Sequence, residues 1–192
     1  MSKIVHPYAH RLVILRDWKS RWFADTKKYC DFLKGDVLLR QYLEKKLRGM
    51  YVSMIEIERN QKMTRFIIKT SRPGLIIGRN GEGATKLKED IAKQMEKLKL
   101  TKTEDFKLEI VEVTNPEADA AIVAYMVAEG LEKRMPYRRV MKQIIEKVMT
   151  TRGVEGARIV LGGRLGGAEI ARTEELKRGS IPLQTFRADI DF

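Results

Sequence analysis

Gly78-Arg79-Asn80-Gly81 is the stretch whose residue types bear most directly on chemistry. Two glycines let the backbone approach something bulky. Behind them Ala84, Leu87, Ile91, Met95 and Leu98 recur at helical spacing, which places a helix start at the loop. A helix start offers unpaired N–H groups and the positive end of the macrodipole, so the loop is suited to an anion, above all a phosphate. Gly78 and Gly83 also stand where the glycines of a P-loop would, but that loop needs a lysine where this chain has Ala84. The absent lysine, together with an antiparallel hairpin where a parallel βαβ unit would be needed, argues against a nucleotide-hydrolysing switch.

A second set of charges lies on the segment that starts at Pro136. Turned at about 100° per residue, Val140, Met141, Ile144, Ile145 and Val148 fill one side of a helix, and Arg138, Arg139 and Lys142 share an arc of about 100° on the other. A solvated face is the ordinary fate of such a trio. Here only Glu146 stands nearby in sequence to neutralise it, which favours contact with a polyanion. No other constellation suggests catalysis. His6 and His10 have no cysteine or carboxylate cluster at ligand spacing, so no metal is expected, and Cys30 has no second cysteine to pair with. Neither a cofactor nor a small-molecule substrate is implied.

The composition agrees with a polyanionic partner. Lys and Arg number 38 against 26 Asp and Glu, a net charge of +12 in 192 residues. Residues 1–115 carry 25 basic and 15 acidic side chains, net +10, and residues 116–192 carry 13 and 11, net +2, so the first part dominates attraction to phosphate. No long basic amphipathic helix with aromatic anchors, no signal-like apolar core at the N-terminus and no run of about 18 apolar residues appears, which favours nucleic acid over a membrane and a cytoplasmic setting.

The elements that must position these residues follow from patterning. Residues 1–30 hold Trp18, Trp22, Phe23, Tyr29 and seven basic residues without a sustained period, an arm that either orders against a partner or packs back on its own domain. Leu39, Leu43 and Leu47 predict a helix over Asp36–Arg48, stopped by Gly49. Ser53–Arg59 and Thr64–Thr70 alternate as a hairpin, and Phe106–Val113 is a further strand. Thr114-Asn115-Pro116 marks a domain boundary. Beyond it, the small residues Ala118, Ala120, Ala121, Ala124 and Ala128 suit close packing of a first helix, and Ala157–Leu161 reads as a strand. The second GxxG, Gly163-Arg164-Leu165-Gly166, is read alone as a bulge, a turn or a cradle. Ala168–Arg178 is ambiguous between helix and strand, and Phe186–Phe192 alternates as a final strand.

Helix, two strands, apolar turn, GxxG, helix and strand is the order of the type II KH RNA-binding domain, which this segment resembles. In such domains the loop clamps the nucleic-acid backbone while apolar side chains beside it meet bases. The strings VHP (Val5–Pro7), IEIER (Ile55–Arg59), RPGLIIGRNGE, IVEVTNPEADA, YRRVMKQ (Tyr137–Gln143), GRLGGAEIARTE (Gly163–Glu174) and the terminal TFRADIDF resemble the bacterial type of small-subunit ribosomal protein number three over nearly the whole chain. The resemblance implies an α+β organisation. Residues 1–30 would form an N-terminal arm, 31–115 a type II KH domain (α-β-β-α-α-β), and 116–192 a two-layer α/β domain of two helices on a mostly antiparallel sheet. It makes Ala168–Arg178 mainly strand against its helical composition.

The same resemblance implies a non-enzymatic protein of the small-subunit head. That protein binds ribosomal RNA (rRNA) beside small-subunit proteins ten and fourteen and lines the channel by which messenger RNA (mRNA) enters. Gly78, Arg79, Asn80 and Gly81 would be the RNA-binding loop. Arg138, Arg139 and Lys142 would face mRNA and help unwind it, and Arg164 and Arg172 would contact rRNA. Relatives usually carry an aromatic where Leu176 stands and continue past the position of Phe192 through another strand, so either the sheet is shorter here or the sequence is a truncation.

Overall fold

A computed structural model of the chain describes residues 6–60, 63–98 and 105–192. Val5 of the VHP string and Gln61-Lys62 of the hairpin connection lie outside them. In chain order the elements are α1 (Pro7–His10), β1 (Ser20–Arg21), α2 (Thr26–Lys46), β2 (Val52–Arg59), β3 (Met63–Thr70), α3 (Pro73–Ile77), α4 (Glu82–Lys97), β4 (Asp105–Glu112), α5 (Ala120–Glu132), α6 (Tyr137–Thr150), β5 (Gly156–Gly163) and β6 (Arg172–Gly179). They form two compact units, Trp18–Thr114 on one side and residues up to Asp17 together with Asn115–Phe192 on the other.

In the Trp18–Thr114 unit, β1 to β4 lie side by side in sequence order. β2 and β3 are antiparallel, with Ile55 opposite Ile68 and Ile57 opposite Phe66, and β4 runs parallel to β3. The alternation puts Ile55, Ile57, Phe66 and Ile68 on the covered face. There they meet Leu39, Leu43 and Leu47 at the end of α2, Ile76 of α3, and Leu87, Ile91 and Met95 of α4, one continuous core. The apolar stripes expected of both helices are therefore the buried ones.

Two expectations change in this unit. Helix α2 starts at Thr26, ten residues before the apolar period becomes visible, because its first half buries Gly35 and Asp36 instead of leucines. The aliphatic pattern is silent where the contact is polar. The apolar stretch before the loop, expected as a turn, is the short helix α3, started by Pro73 at its first position.

The other unit packs α5 on α6, and α6 on the antiparallel pair β5–β6. Its buried residues include Ile122 and Val127 of α5 and Val140, Met141, Ile145 and Val148 of α6. A Cβ on Gly130 would lie 3.0 Å from Val140, so a small residue sets the approach of the two helices. Arg172–Gly179 is a strand, paired with Leu176 opposite Ile159, as the family resemblance implies and local propensity does not.

The expected strand over Phe186–Phe192 is not one. Its backbone groups are committed elsewhere: the Ala188 carbonyl accepts from Arg11 Nε at 2.5 Å, and the Ala188 amide donates to Thr185 at 3.2 Å. The guanidinium of Arg11, fully buried, also donates to the carbonyls of Pro7, Pro182, Leu183 and Thr185. Arg16 pairs with Asp189 at 2.7 Å, and the Asp191 carboxylate accepts from the Ala120 amide at the start of α5. The stretch read as one arm over residues 1–30 is accordingly divided. His6–Asp17 clasps residues 182–192, while Trp18 onward belongs with the sheet and α2.

Candidate nucleic-acid interface

The Gly78–Gly81 loop is a single 3₁₀ turn between α3 and α4. Gly78 has φ 71° and ψ −175°, a conformation open essentially to glycine, while Asn80 and Gly81 are left-handed at φ 52° and 80°. Gly83 serves a different purpose. A Cβ there would lie 2.5 Å from the Ile76 carbonyl oxygen and 2.9 Å from that of Ile77, so its absence lets α4 sit against the end of α3. The glycine that gave the P-loop its spacing is a packing residue.

No side chain caps the first turn of α4, and Arg79 and Asn80 are exposed in front of it. Among the described residues no carboxylate pairs with Arg79. Leu75 and Ile77, whose neighbour Ile76 enters the core, are 54% and 39% exposed beside the loop. An uncompensated cation, a helix start and two exposed aliphatic side chains thus share one place, which suits backbone phosphate and the faces of bases together. Lys86, exposed one turn into α4, extends the charge. Its presence was visible in the sequence, but only the structure puts it on the outward face.

The open side of the four-stranded sheet is different. Arg21 meets Glu56 and Glu58, Arg65 meets Glu58 and Glu109, Lys69 meets Glu56, and Lys107 meets Glu109. Glu109 is held below the ordinary carboxylate range, chiefly by its hydrogen bond from Lys107. Those cations are already compensated, so the unit's excess charge resides elsewhere.

On α6, Arg138, Arg139 and Lys142 are all exposed, opposite the buried Val140, Met141, Ile145 and Val148. The shared arc is present, but the expected neutraliser is not the right one. Glu146 approaches Arg178 of β6 at 3.9 Å, whereas Arg138 is met by Glu174 of the same strand at 3.2 Å. Tyr137 Oη donates to the same Glu174 oxygen at 2.7 Å. Sequence separation concealed this contact, which the pairing of β6 with β5 brings about. Among the described residues Arg139 and Lys142 have no carboxylate partner.

Arg164 and Arg172 are exposed near the second glycine loop. Arg164 Nε donates to the Ala168 carbonyl at 2.9 Å, and Arg172 stands opposite Gly163 in the β5–β6 register. Leu165–Gly167 is a 3₁₀ turn with Gly166 at φ 68°, and a Cβ added there would lie 3.7 Å from the Tyr137 ring, so this loop is a tight turn beside the start of α6. His6 is occupied as a helix cap, its Nδ1 accepting from the Tyr8 amide, and its ring stands edge-on to Phe192. His10 lies against Phe186. Cys30 is an exposed free thiol. Among the described residues no helix is long and apolar enough to cross a membrane.

Helices on one face of a four-stranded sheet, with a GxxG loop joining two of them and an exposed arginine in that loop, define the class: this is a KH-domain protein. Family comparison agrees. Residues 38–118 match the KH domain model and residues 127–192 match the model for the C-terminal domain of ribosomal protein S3. The whole chain is 43% identical to small ribosomal subunit protein uS3 of Clostridium novyi, covering 84% of that relative. It is 44% identical to uS3 of Pseudomonas aeruginosa and 45% identical to uS3 of Caldicellulosiruptor bescii, covering 81% and 83% of them. The chain belongs to the uS3 family, a non-enzymatic family of ribosomal proteins, in which an N-terminal KH domain precedes a C-terminal S3 domain.

Proposed function

We propose that this protein is a structural RNA-binding component of the small-subunit head, where it holds rRNA and lines the channel by which mRNA enters. The observation that carries the reading is the outward row on α6: Arg138, Arg139 and Lys142 project from one side of a helix whose other side is core, and among the described residues two of the three have no carboxylate partner. Fixed cations on a packed helix can hold phosphates while the ribosome pulls a strand past them. The energy of unwinding then comes from translocation, and the protein needs no nucleotide site.

The Gly78–Gly81 loop supplies a separate backbone anchor, and Arg164 and Arg172 supply rRNA contacts at the β5–β6 connection. Affinity is mainly electrostatic and depends steeply on salt. Small-subunit proteins ten and fourteen are the proposed neighbours, and the ribosome in the cytoplasm is the proposed location.

Replacing Arg138, Arg139 and Lys142 together with alanine tests this. Ribosomes carrying the variant should translate an unstructured message at the normal rate and stall on a stable hairpin, with the protein still sedimenting with the small subunit. Equal rates on both messages, or equal slowing on both, would refute the assignment.

A further inference from the structure

Glu174 occupies an unexpected position for a carboxylate beside a surface meant for RNA. It comes from β6, 36 residues after Arg138, and its side chain is only 28% exposed. One of its oxygens accepts both the Tyr137 hydroxyl and the Arg138 guanidinium. The Arg138 guanidinium in turn lies 5.6 Å from the centre of the Tyr137 ring, and a Cβ added at Gly166 of the β5–β6 connection would come within 3.7 Å of that ring. Tyr137 thereby fixes Glu174, and Glu174 fixes Arg138, while the arginine itself remains 72% exposed. Among the described residues Arg139 and Lys142 have no such attachment.

We infer that Glu174 is a built-in competitor for phosphate at Arg138, a positioning residue that aims the guanidinium outward and weakens its hold on the RNA backbone. The inference rests on the proposed role of the α6 row and adds an inequality within it. Arg139 and Lys142 bind phosphate outright, whereas Arg138 exchanges one oxyanion for another. The two anionic states are alike in chemistry: a guanidinium that gives up a carboxylate for a phosphate oxygen remains charge-compensated throughout, so the strand meets a shallow well there. A strand that has to slide rather than stay benefits from such a contact. Glu174 is held below the ordinary carboxylate range, first by the hydrogen bond from Arg138 and then by that from Tyr137, so it remains an anion wherever the ribosome works.

The test uses the full chain and a fluorescently labelled single-stranded oligouridylate. Glu174→Gln keeps an acceptor for Tyr137 and removes the competing charge. It should tighten binding by about two- to five-fold at low salt, the fold-change equivalent of an exposed ion pair. It should also steepen the slope of log affinity against log salt by about 0.7, one further phosphate contact on a single strand. Both changes should vanish in an Arg138→Ala background. Unchanged affinity and slope in E174Q, or the same change with and without Arg138, would overturn the inference while leaving the α6 row intact. If the triple alanine variant bound this oligonucleotide as tightly as the native chain, the α6 reading would fall and take the inference with it. Thermal unfolding of E174Q close to that of the native protein separates the charge effect from a loss of packing.

Discussion

Asp36 and Arg59 form a charged pair placed inside the core of the KH unit, with side chains 1% and 5% exposed and Nη2 to Oδ1 at 2.5 Å. Burying two charges is favourable only when their remaining hydrogen-bonding capacity is met. Here it is: Arg59 Nε bonds the same Oδ1 at 3.0 Å, the Trp22 indole donates to Oδ2 at 2.7 Å, and the Arg59 guanidinium stands 5.1 Å from the Phe32 ring centre. The pair ties the strand β2 and the segment before α2 to the middle of that helix. Asp36→Ala leaves a buried guanidinium and an indole N–H without acceptors, and should destabilise the Trp18–Thr114 unit by about 3–5 kcal/mol, read as a lowered denaturant midpoint. A loss under 1 kcal/mol would mean that water reaches Arg59. None of this was legible beforehand. Arg59 lies within an alternating strand and Asp36 at the edge of a leucine period, and neither pattern says that two polar residues 23 positions apart are partners.

At the level of elements, the α3–loop–α4 corner separates what shapes a binding loop from what binds. Gly83 has room for no side chain because the Ile76 and Ile77 carbonyls lie within 3 Å of where a Cβ would be. Gly81 has open space around it, and its demand is a φ of 80°. Gly83→Ala should therefore destabilise the unit by about 1–3 kcal/mol and weaken RNA binding through a displaced helix start. Arg79→Asp with Asn80→Asp should leave the unfolding midpoint nearly unchanged, yet weaken RNA binding and flatten its salt dependence. If the two variants lost binding and stability in the same proportion, the loop would be a structural corner only.

The corner was the most readable part of the molecule. The glycine spacing, the aliphatic period of α4 and the missing P-loop lysine are all local, and so is the α6 face, whose apolar side dictates where its cations point. The readings that changed depend on distant contacts: the Glu174 partner of Arg138, and the fate of Phe186–Phe192, whose alternation looks like a strand but whose backbone is held by an arginine over 170 positions away.

For the whole molecule, the connectivity matters as much as the fold of either unit. The KH unit, Trp18–Thr114, interrupts a unit made from the segments on both sides of it, so closing that second unit requires residues before 18 to find residues after 180. Loop-closure entropy opposes this, and specific contacts must offset it. Arg11 is the centre of those contacts. It is fully buried, among the described residues it has no carboxylate partner, and its planar fork is matched to five backbone carbonyls, of Pro7, Pro182, Leu183, Thr185 and Ala188. The outer pair Arg16–Asp189 is more exposed and contributes less. Arg11→Lys keeps the charge but offers three donors from a single point, too few and in the wrong directions. It should release residues 181–192 and speed tryptic cleavage after Arg187, whose side chain is already at the surface, while the KH unit keeps its native resistance. Arg16→Ala should change cleavage little. If Arg11→Lys were cleaved no faster than the native chain, the clasp would be held by its aromatic contacts, His6 on Phe192 and His10 on Phe186, and the carbonyl cage would be incidental. The expected order, with Arg11→Lys opening first, follows from the asymmetry that a buried donor set left unmatched costs far more than an exposed ion pair removed.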